Sequence, residues 1–349
     1  MDRFDLSRLV RPNVAKLKPY SSARDEFKTQ GEEMVFLDAN ENPFENGMNR
    51  YPDPQQLELK SKLAEIRNVP SHNILLGNGS DEVLDLLFRA FCEPGTSNII
   101  SLPPTYGMYK VLADINNVEN REVLLNHDFE PDVTAILNQV DANSRMIFLC
   151  SPNNPSGNSF DPKKVEKLLQ EFNGLVVVDE AYIDFSEQQS WLDRLAEFPN
   201  LIITQTFSKA FGKAGIRLGI LFATNDIVQI LNKIKPPYNI NSLTQKEALS
   251  TLKGLDKIKS QIADIVEERN ALVKVLLEVH FIKKIFKSDA NFLLIEVDDA
   301  NLRYDQLLKK GIVVRNRSSQ PLCENCLRIT IGTKNENDLL INIIKELDQ

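Results

Sequence analysis

Histidine, tryptophan and cysteine are all scarce, with three, one and four residues in a chain of 349. His72, His127 and His280 stand far apart, and no H-E-x-x-H or G-x-S-x-G accompanies them. Metalloprotease and serine-hydrolase chemistry therefore have no carrier, and the three read as exposed or structural. Cys92, Cys150, Cys323 and Cys326 are too few and too scattered for a secreted disulfide scaffold. Cys323 and Cys326 form one C-x-x-C, but no second pair or paired histidine completes a zinc site. Two reduced thiols in a turn running into a strand are expected there. No apolar run approaches the ~18 residues of a spanning helix. The N-terminal "MDRFDLSRLVRPNVAK" lacks the apolar core of a signal peptide, so a cytoplasmic protein is expected. A basic excess is missing too: 41 Lys+Arg stand against 49 Asp+Glu, for a net charge of −8. That balance argues against nucleic acid as the main partner, yet a few convergent arginines can still hold a small anion.

What is present is an ordinary apolar and charged complement, 42% and 26%. At ~150 residues per domain the length suggests about two domains. Strand-length apolar runs alternate with helical patterns: "NIISLP" (98–103), "REVLL" (121–125), "RMIFLCSP" (145–152), "LVVVDEAY" (175–182), "LIITQTFS" (201–208) and "IRLGILFAT" (216–224). Val176-Val177-Val178 and Ile147-Phe148-Leu149 are apolar at consecutive positions, as in parallel strands covered on both faces. An α/β fold is expected, with a mainly parallel sheet between helices. Beyond residue 225, long helical patterns at 241–251 and 254–279 lead into short strands at 281–288, 291–297, 311–317 and 326–332. These describe a smaller α+β unit. The first 40 or so residues, with Pro12, Pro19 and Gly31, read as an irregular arm wrapping the body.

The densest chemistry lies in "TQTFSKAFGKAGIRLG" (204–219), just past a buried strand. Open α/β sheets bind ligands at the carboxyl ends of their strands. Thr206, Ser208, Arg217 and glycine-exposed amides suit a phosphate dianion. Lys209 suits an imine to an aldehyde cofactor, with Lys213 its rival. In "VVVDEAY", Asp179 ends a buried strand, where a carboxylate is costly without a positive partner. A protonated pyridine nitrogen would be one, and holding that proton makes a pyridoxal ring an electron sink. Asp179 and Glu180 could alternatively bind Mg²⁺, but no G-x-x-x-x-G-K-[ST] accompanies them. "SPNNPSG" (151–157) is turn chemistry after another buried strand. "LGNGSDEVLDLLFRAF" (76–91) opens a helix whose first amides, near Ser80 and Asp81, could hold an anion.

In this order the segments resemble the fold-type I pyridoxal-phosphate aminotransferases of the class-II subgroup. "LDANENPFE" (37–45), "RYPDP" (50–54), "PPTYGMY" (103–109) and "LRITIGT" (327–333) extend the likeness over nearly the whole chain, and the first, second and last of these point to the histidinol-phosphate branch. The resemblance implies a large domain with a seven-stranded, mainly parallel sheet plus a smaller α+β domain. Its division would be an arm and part of the small domain at 1–40, a large cofactor domain at 41–240 and a small domain at 241–349. It implies pyridoxal 5'-phosphate as cofactor, no metal, and an aldimine on Lys209, which moves the substrate proton. Asp179 would pair with the ring nitrogen, Asn154 and Tyr182 with the ring oxygen, and Tyr106 would stack on the ring. Ser80, Asp81, Ser208, Arg217 and Thr206 would hold the phosphate, joined by Tyr51 from the other subunit of a homodimer. Arg328 would bind the substrate anion, with Tyr20, Asn42 and Arg315 as helpers, while Arg317 either joins them or faces solvent.

The activity so implied is ping-pong transamination between L-histidinol phosphate with 2-oxoglutarate and imidazole-acetol phosphate with glutamate, in histidine biosynthesis. Its small-molecule partners would be a phosphorylated amino alcohol and glutamate or 2-oxoglutarate. An aromatic amino-acid aminotransferase or a threonine-phosphate decarboxylase of the same fold is the nearest alternative. A catalytically inactive pyridoxal-phosphate-binding protein is the alternative outside enzymes.

Overall fold

The computed structural model describes residues 4–20 and 35–349. Seven strands form the larger sheet: β1 (Ile74–Asn78), β2 (Asn98–Ser101), β3 (Glu119–Glu122), β4 (Ser144–Cys150), β5 (Leu175–Asp179), β6 (Leu201–Thr206) and β7 (Leu218–Phe222). Their spatial order is β1-β7-β6-β5-β4-β2-β3. The run from β6 to β3 is parallel, while β7 lies antiparallel to both β6 and β1.

The consecutive apolar runs are explained by burial on both faces. On β4 and β5, Ile147, Leu149, Val176 and Val178 enter one apolar cluster. Their neighbours Met146, Phe148, Leu175 and Val177 enter the cluster on the opposite face. The alternation of side chains across a strand splits each run between two helical layers. The helix Gly79–Phe91 covers the second face with Val83, Leu84, Leu87 and Phe88. Elsewhere local chemistry fixes helix starts: Asp161 accepts from the Lys163 amide ahead of Pro162–Glu171. Thr333 and Glu336 form a reciprocal capping box ahead of Lys334–Leu347.

A second sheet, of antiparallel strands ordered β10-β11-β9-β8, comprises β8 (Ile282–Ile285), β9 (Phe292–Val297), β10 (Arg315–Asn316) and β11 (Cys326–Thr330). Leu293, Ile295 and Val297 pack there against Leu272 and Leu276 of the helix Leu255–Leu276. Two strand spans depart from expectation. The 121–125 run enters the sheet as β3 at 119–122, in register with β2, and beyond it the Val123 and Leu125 amides donate to the Ser101 and Pro103 carbonyls at 3.0 and 2.9 Å. Of 311–317 only Arg315–Asn316 is strand: Gly311 takes φ +85 and Val313 is exposed. The described start of the arm lies on the large sheet's side. Leu9 joins the cluster around Phe88, and the Arg11 amide donates to the Ala90 carbonyl at 3.0 Å. Gly31 falls outside the described residues.

Phe148 carries the packing between sheet and helices, stacked on Phe88 at 5.5 Å and on Tyr109 at 4.8 Å. Phe148→Ala is expected to cost about 3–5 kcal/mol. A chemical-denaturation midpoint that falls accordingly checks this.

Candidate active site

Three strand ends and one helix start deliver the site. β4 leads into Asn154, β5 ends on Asp179, β6 leads into Ser208 and Lys209, and β1 leads into the helix Gly79–Phe91. All four open on one cavity of about 540 Å³, whose opposite wall is formed by Arg315, Arg317, Gln320 and Arg328 of the smaller sheet. Ser80, Asp81, Tyr106, Tyr182, Thr206 and Arg217 line it as well.

Asp179 forms the floor, 2% exposed. The Tyr109 hydroxyl donates to one carboxylate oxygen at 2.7 Å and the Thr204 hydroxyl to the other at 3.0 Å. Burial raises its pKa, and these two hydrogen bonds oppose that rise. Glu180 points elsewhere: it accepts from Ser190 Oγ at 2.6 Å, the Trp191 amide at 2.7 Å and Gln205 Nε2 at 2.9 Å. It does not line the cavity, so the two acids do not form a metal pair.

Lys209 has its Nζ 5.6 Å from the centre of the Tyr182 ring. Burial lowers its pKa, and the Arg328 charge lowers it further. Lys213 is engaged outside the cavity, in an ion pair with Glu247 at 2.6 Å. Of the two lysines, Lys209 lines the cavity and Lys213 does not.

At the helix start no side chain caps the first turn; the Gly79 amide donates to the Arg217 carbonyl at 2.9 Å, which leaves the amides after it to meet an anion. Arg217 reaches over this turn to Asp81 at 3.4 Å, and Tyr106 donates to the other Asp81 oxygen at 3.0 Å. Gly219 makes the arrangement possible. A Cβ there would sit 2.3 Å from the Gly79 carbonyl carbon and 2.4 Å from the Ser80 nitrogen. Thr206 Oγ1 accepts from the Ser208 amide at 3.1 Å and shapes the lysine loop.

On the opposite wall, Arg328 donates to Asn154 Oδ1 and stacks 5.2 Å from the Phe292 ring centre. Burial, with Arg317 next in effect, pulls its pKa down to about 10. Arg317 is half-buried and lines the cavity rather than facing solvent. Tyr20, Asn42 and Tyr51 lie outside the cavity of this chain. Tyr20 is 73% exposed, Asn42 accepts from the Phe44 amide at 2.9 Å, and Tyr51 stacks on Tyr238 at 4.5 Å. Cys323 and Cys326 are free thiols, and both are buried. Sequence reading passes over Tyr109, Thr204 and Gln320. Only the position of Thr204, inside the lysine segment, gives any signal.

A family model for class I and II aminotransferases matches residues 35–344, and the chain belongs to that family. It is 72% identical to the histidinol-phosphate aminotransferase of Christiangramia forsetii, over 100% of this chain and 99% of the relative. Among solved structures it resembles the histidinol-phosphate aminotransferase from Clostridium acetobutylicum, with a TM-score of 0.80 and 25% identity over 86% of this chain and 91% of that one. It also resembles the histidinol-phosphate aminotransferase from Sinorhizobium meliloti in complex with pyridoxal-5'-phosphate. There the TM-score is 0.78 and the identity 25%, over 85% and 83% of the two chains.

The depressed Lys209 pKa predicts that its reaction with an amine-acylating reagent titrates with a midpoint below that of an ordinary lysine. Arg328→Gln removes a lowering charge and moves the midpoint up. Mass spectrometry of the modified peptide against pH reads both. A midpoint indifferent to Arg328 contradicts the electrostatic assignment.

Proposed function

We propose that the chain is a pyridoxal-phosphate-dependent aminotransferase that interconverts L-histidinol phosphate plus 2-oxoglutarate and imidazole-acetol phosphate plus L-glutamate. The observation that carries this reading is the single cavity in which Lys209 and Asp179 on one wall face Arg315, Arg317 and Arg328 on the other. The substrate choice draws on the 72% identical relative, which carries that activity in its name.

The residues fit the cofactor on structural grounds. Asp179 is a buried carboxylate with no cationic side chain bonded to it among the described residues, so a ring N–H⁺ is the missing partner. An uncapped helix start beside Arg217 and Ser208 provides amides, a guanidinium and a hydroxyl for a phosphate. When bound, the cofactor supplies an aldehyde carbon for the lysine and a ring that draws electrons from the substrate α-carbon.

Each chain residue then has a defined task. Asp179 holds the proton on the ring nitrogen, and the Tyr109 and Thr204 hydroxyls keep the carboxylate oriented. Asn154 and Tyr182, which line the cavity, would hold the ring oxygen, and Tyr106 would cover the ring. The Ser80 and Asp81 amides with Ser208 and Arg217 bind the phosphate, while Thr206 braces their loop. Lys209, made neutral more readily by burial and Arg328, removes and returns the proton at the substrate α-carbon. Arg328 and Arg315 bind the substrate anion, the phosphate of one substrate and a carboxylate of glutamate in the other half-reaction. Tyr20 and Asn42 assist from the N-terminal segment.

The working unit is a homodimer, in the cytoplasm. Tyr51 is exposed and lines one surface hollow with Met48 and Leu243, which are 55% and 62% exposed. A second copy covering that face would bring Tyr51 to its partner's cofactor phosphate. Among the described residues, no helix is long and apolar enough to cross a membrane.

Turnover on histidinol phosphate, threonine phosphate and phenylalanine, each with 2-oxoglutarate, tests the assignment, and absence of activity on the first overturns it. Lys209→Ala is expected to lose the visible band of the loaded enzyme and at least ~10²–10⁴-fold in kcat. Lys213→Ala should keep the band.

A further inference from the structure

The three arginines share one face for a reason readable in the register. Arg315 on β10 lies opposite Arg328 on β11 in the antiparallel pair. The Arg317 amide then donates to the Cys326 carbonyl at 2.8 Å, carrying the ladder two residues further. Residues opposite one another, and residues two apart, point to the same side of a sheet. All three guanidinium groups therefore border the same cavity.

None of the three has a carboxylate partner among the described residues. Arg328 bonds only to the neutral amide of Asn154. The Nε atoms of Arg317 and Arg328 are buried with no acceptor. The groups that face Arg317 are Arg315, the Cys323 thiol and the Tyr182 phenol. Those facing Arg328 are Arg317, Arg315, the same phenol and, across the cavity, Lys209. Buried donors and like charges without a counter-ion are costly, and an anion entering the cavity relieves that cost in proportion to its charge. Two guanidinium groups balance a single carboxylate of glutamate with charge to spare. A phosphate monoester near neutrality approaches two negative charges and has three acceptor oxygens.

We infer that Arg317 completes a three-guanidinium seat for the distal anion of the substrate. It is the residue that sets the preference for a doubly charged phosphate over a singly charged carboxylate. This rests on the aminotransferase reading above and adds a specificity determinant to it.

The test uses the cofactor-loaded enzyme and two probes of similar length, propyl phosphate and butyrate, with affinity measured by calorimetry from pH 5 to 8. The wild type is expected to bind propyl phosphate more tightly as its second proton leaves, near pH ~6, and butyrate nearly independently of pH over that range. Arg317→Gln should weaken propyl phosphate by about 10- to 100-fold, the worth of a charge-assisted hydrogen bond. It should weaken butyrate much less and flatten the pH dependence, which a general packing defect would not do. Arg317→Lys, which keeps the charge, should restore most of the pH dependence. Equal losses for both probes, or a pH dependence unchanged in Arg317→Gln, overturn the role of Arg317 while leaving the aminotransferase assignment intact. A wild type that binds no propyl phosphate overturns both.

Discussion

A carboxylate buried at the end of a central strand is the constraint around which the site is built. Asp179 is taken out of water by its position in β5, beside Cys150 on one neighbouring strand and Thr204 on the other. Removing an ionised group from water is expensive unless hydrogen bonds and a counter-charge replace the solvent. The protein supplies the hydrogen bonds through Thr204, its cross-strand neighbour, and through Tyr109 on a helix that packs on Phe148. Among the described residues no cationic side chain is bonded to Asp179, and that deficit is what a protonated ring nitrogen would meet. The sheet order, the Tyr109 stack and the lysine loop all converge on holding this one group in place.

A second deficit faces the first across the cavity. The chain as a whole carries −8, yet its smaller sheet presents to the same cavity three arginines that have no acidic partner among the described residues. Overall charge therefore says nothing about the ligand, because local register and burial decide the field inside the site. The cationic wall also acts on Lys209, since the charge on Arg328 makes its protonated form less favourable. The features that would recognise an anionic substrate thus also prepare the lysine. Both effects depend on the two sheets facing each other closely.

Much of this is legible in the sequence where chemistry and local pattern coincide. The unbroken apolar runs of β4 and β5 announce strands covered on both faces, and Asp179 and Lys209 stand at the ends of such runs. Glycines and hydroxyls around the lysine mark a phosphate loop. The illegible part is made of long-range pairings. Tyr109 and Thr204 look like ordinary helix and strand residues until folding brings Tyr109 to Asp179 across 70 positions. Lys213 can be dismissed only once Glu247, from a distant helix, is seen to hold it. Arg317 reads as ambiguous because the strand it follows, Arg315–Asn316, is too short to show a period. Strand limits shift for the same reason, since β3 takes its register from β2 rather than from its own apolar residues.

The central claim is that Asp179 keeps a proton on the cofactor's ring nitrogen. The most direct measurement is the ¹⁵N chemical shift of that nitrogen in enzyme loaded with labelled cofactor, compared between wild type and Asp179→Asn. A protonated nitrogen in the wild type and an unprotonated one in the variant, at the same pH, is the predicted result. An unprotonated nitrogen in the wild type, or no difference between the two proteins, would contradict the account.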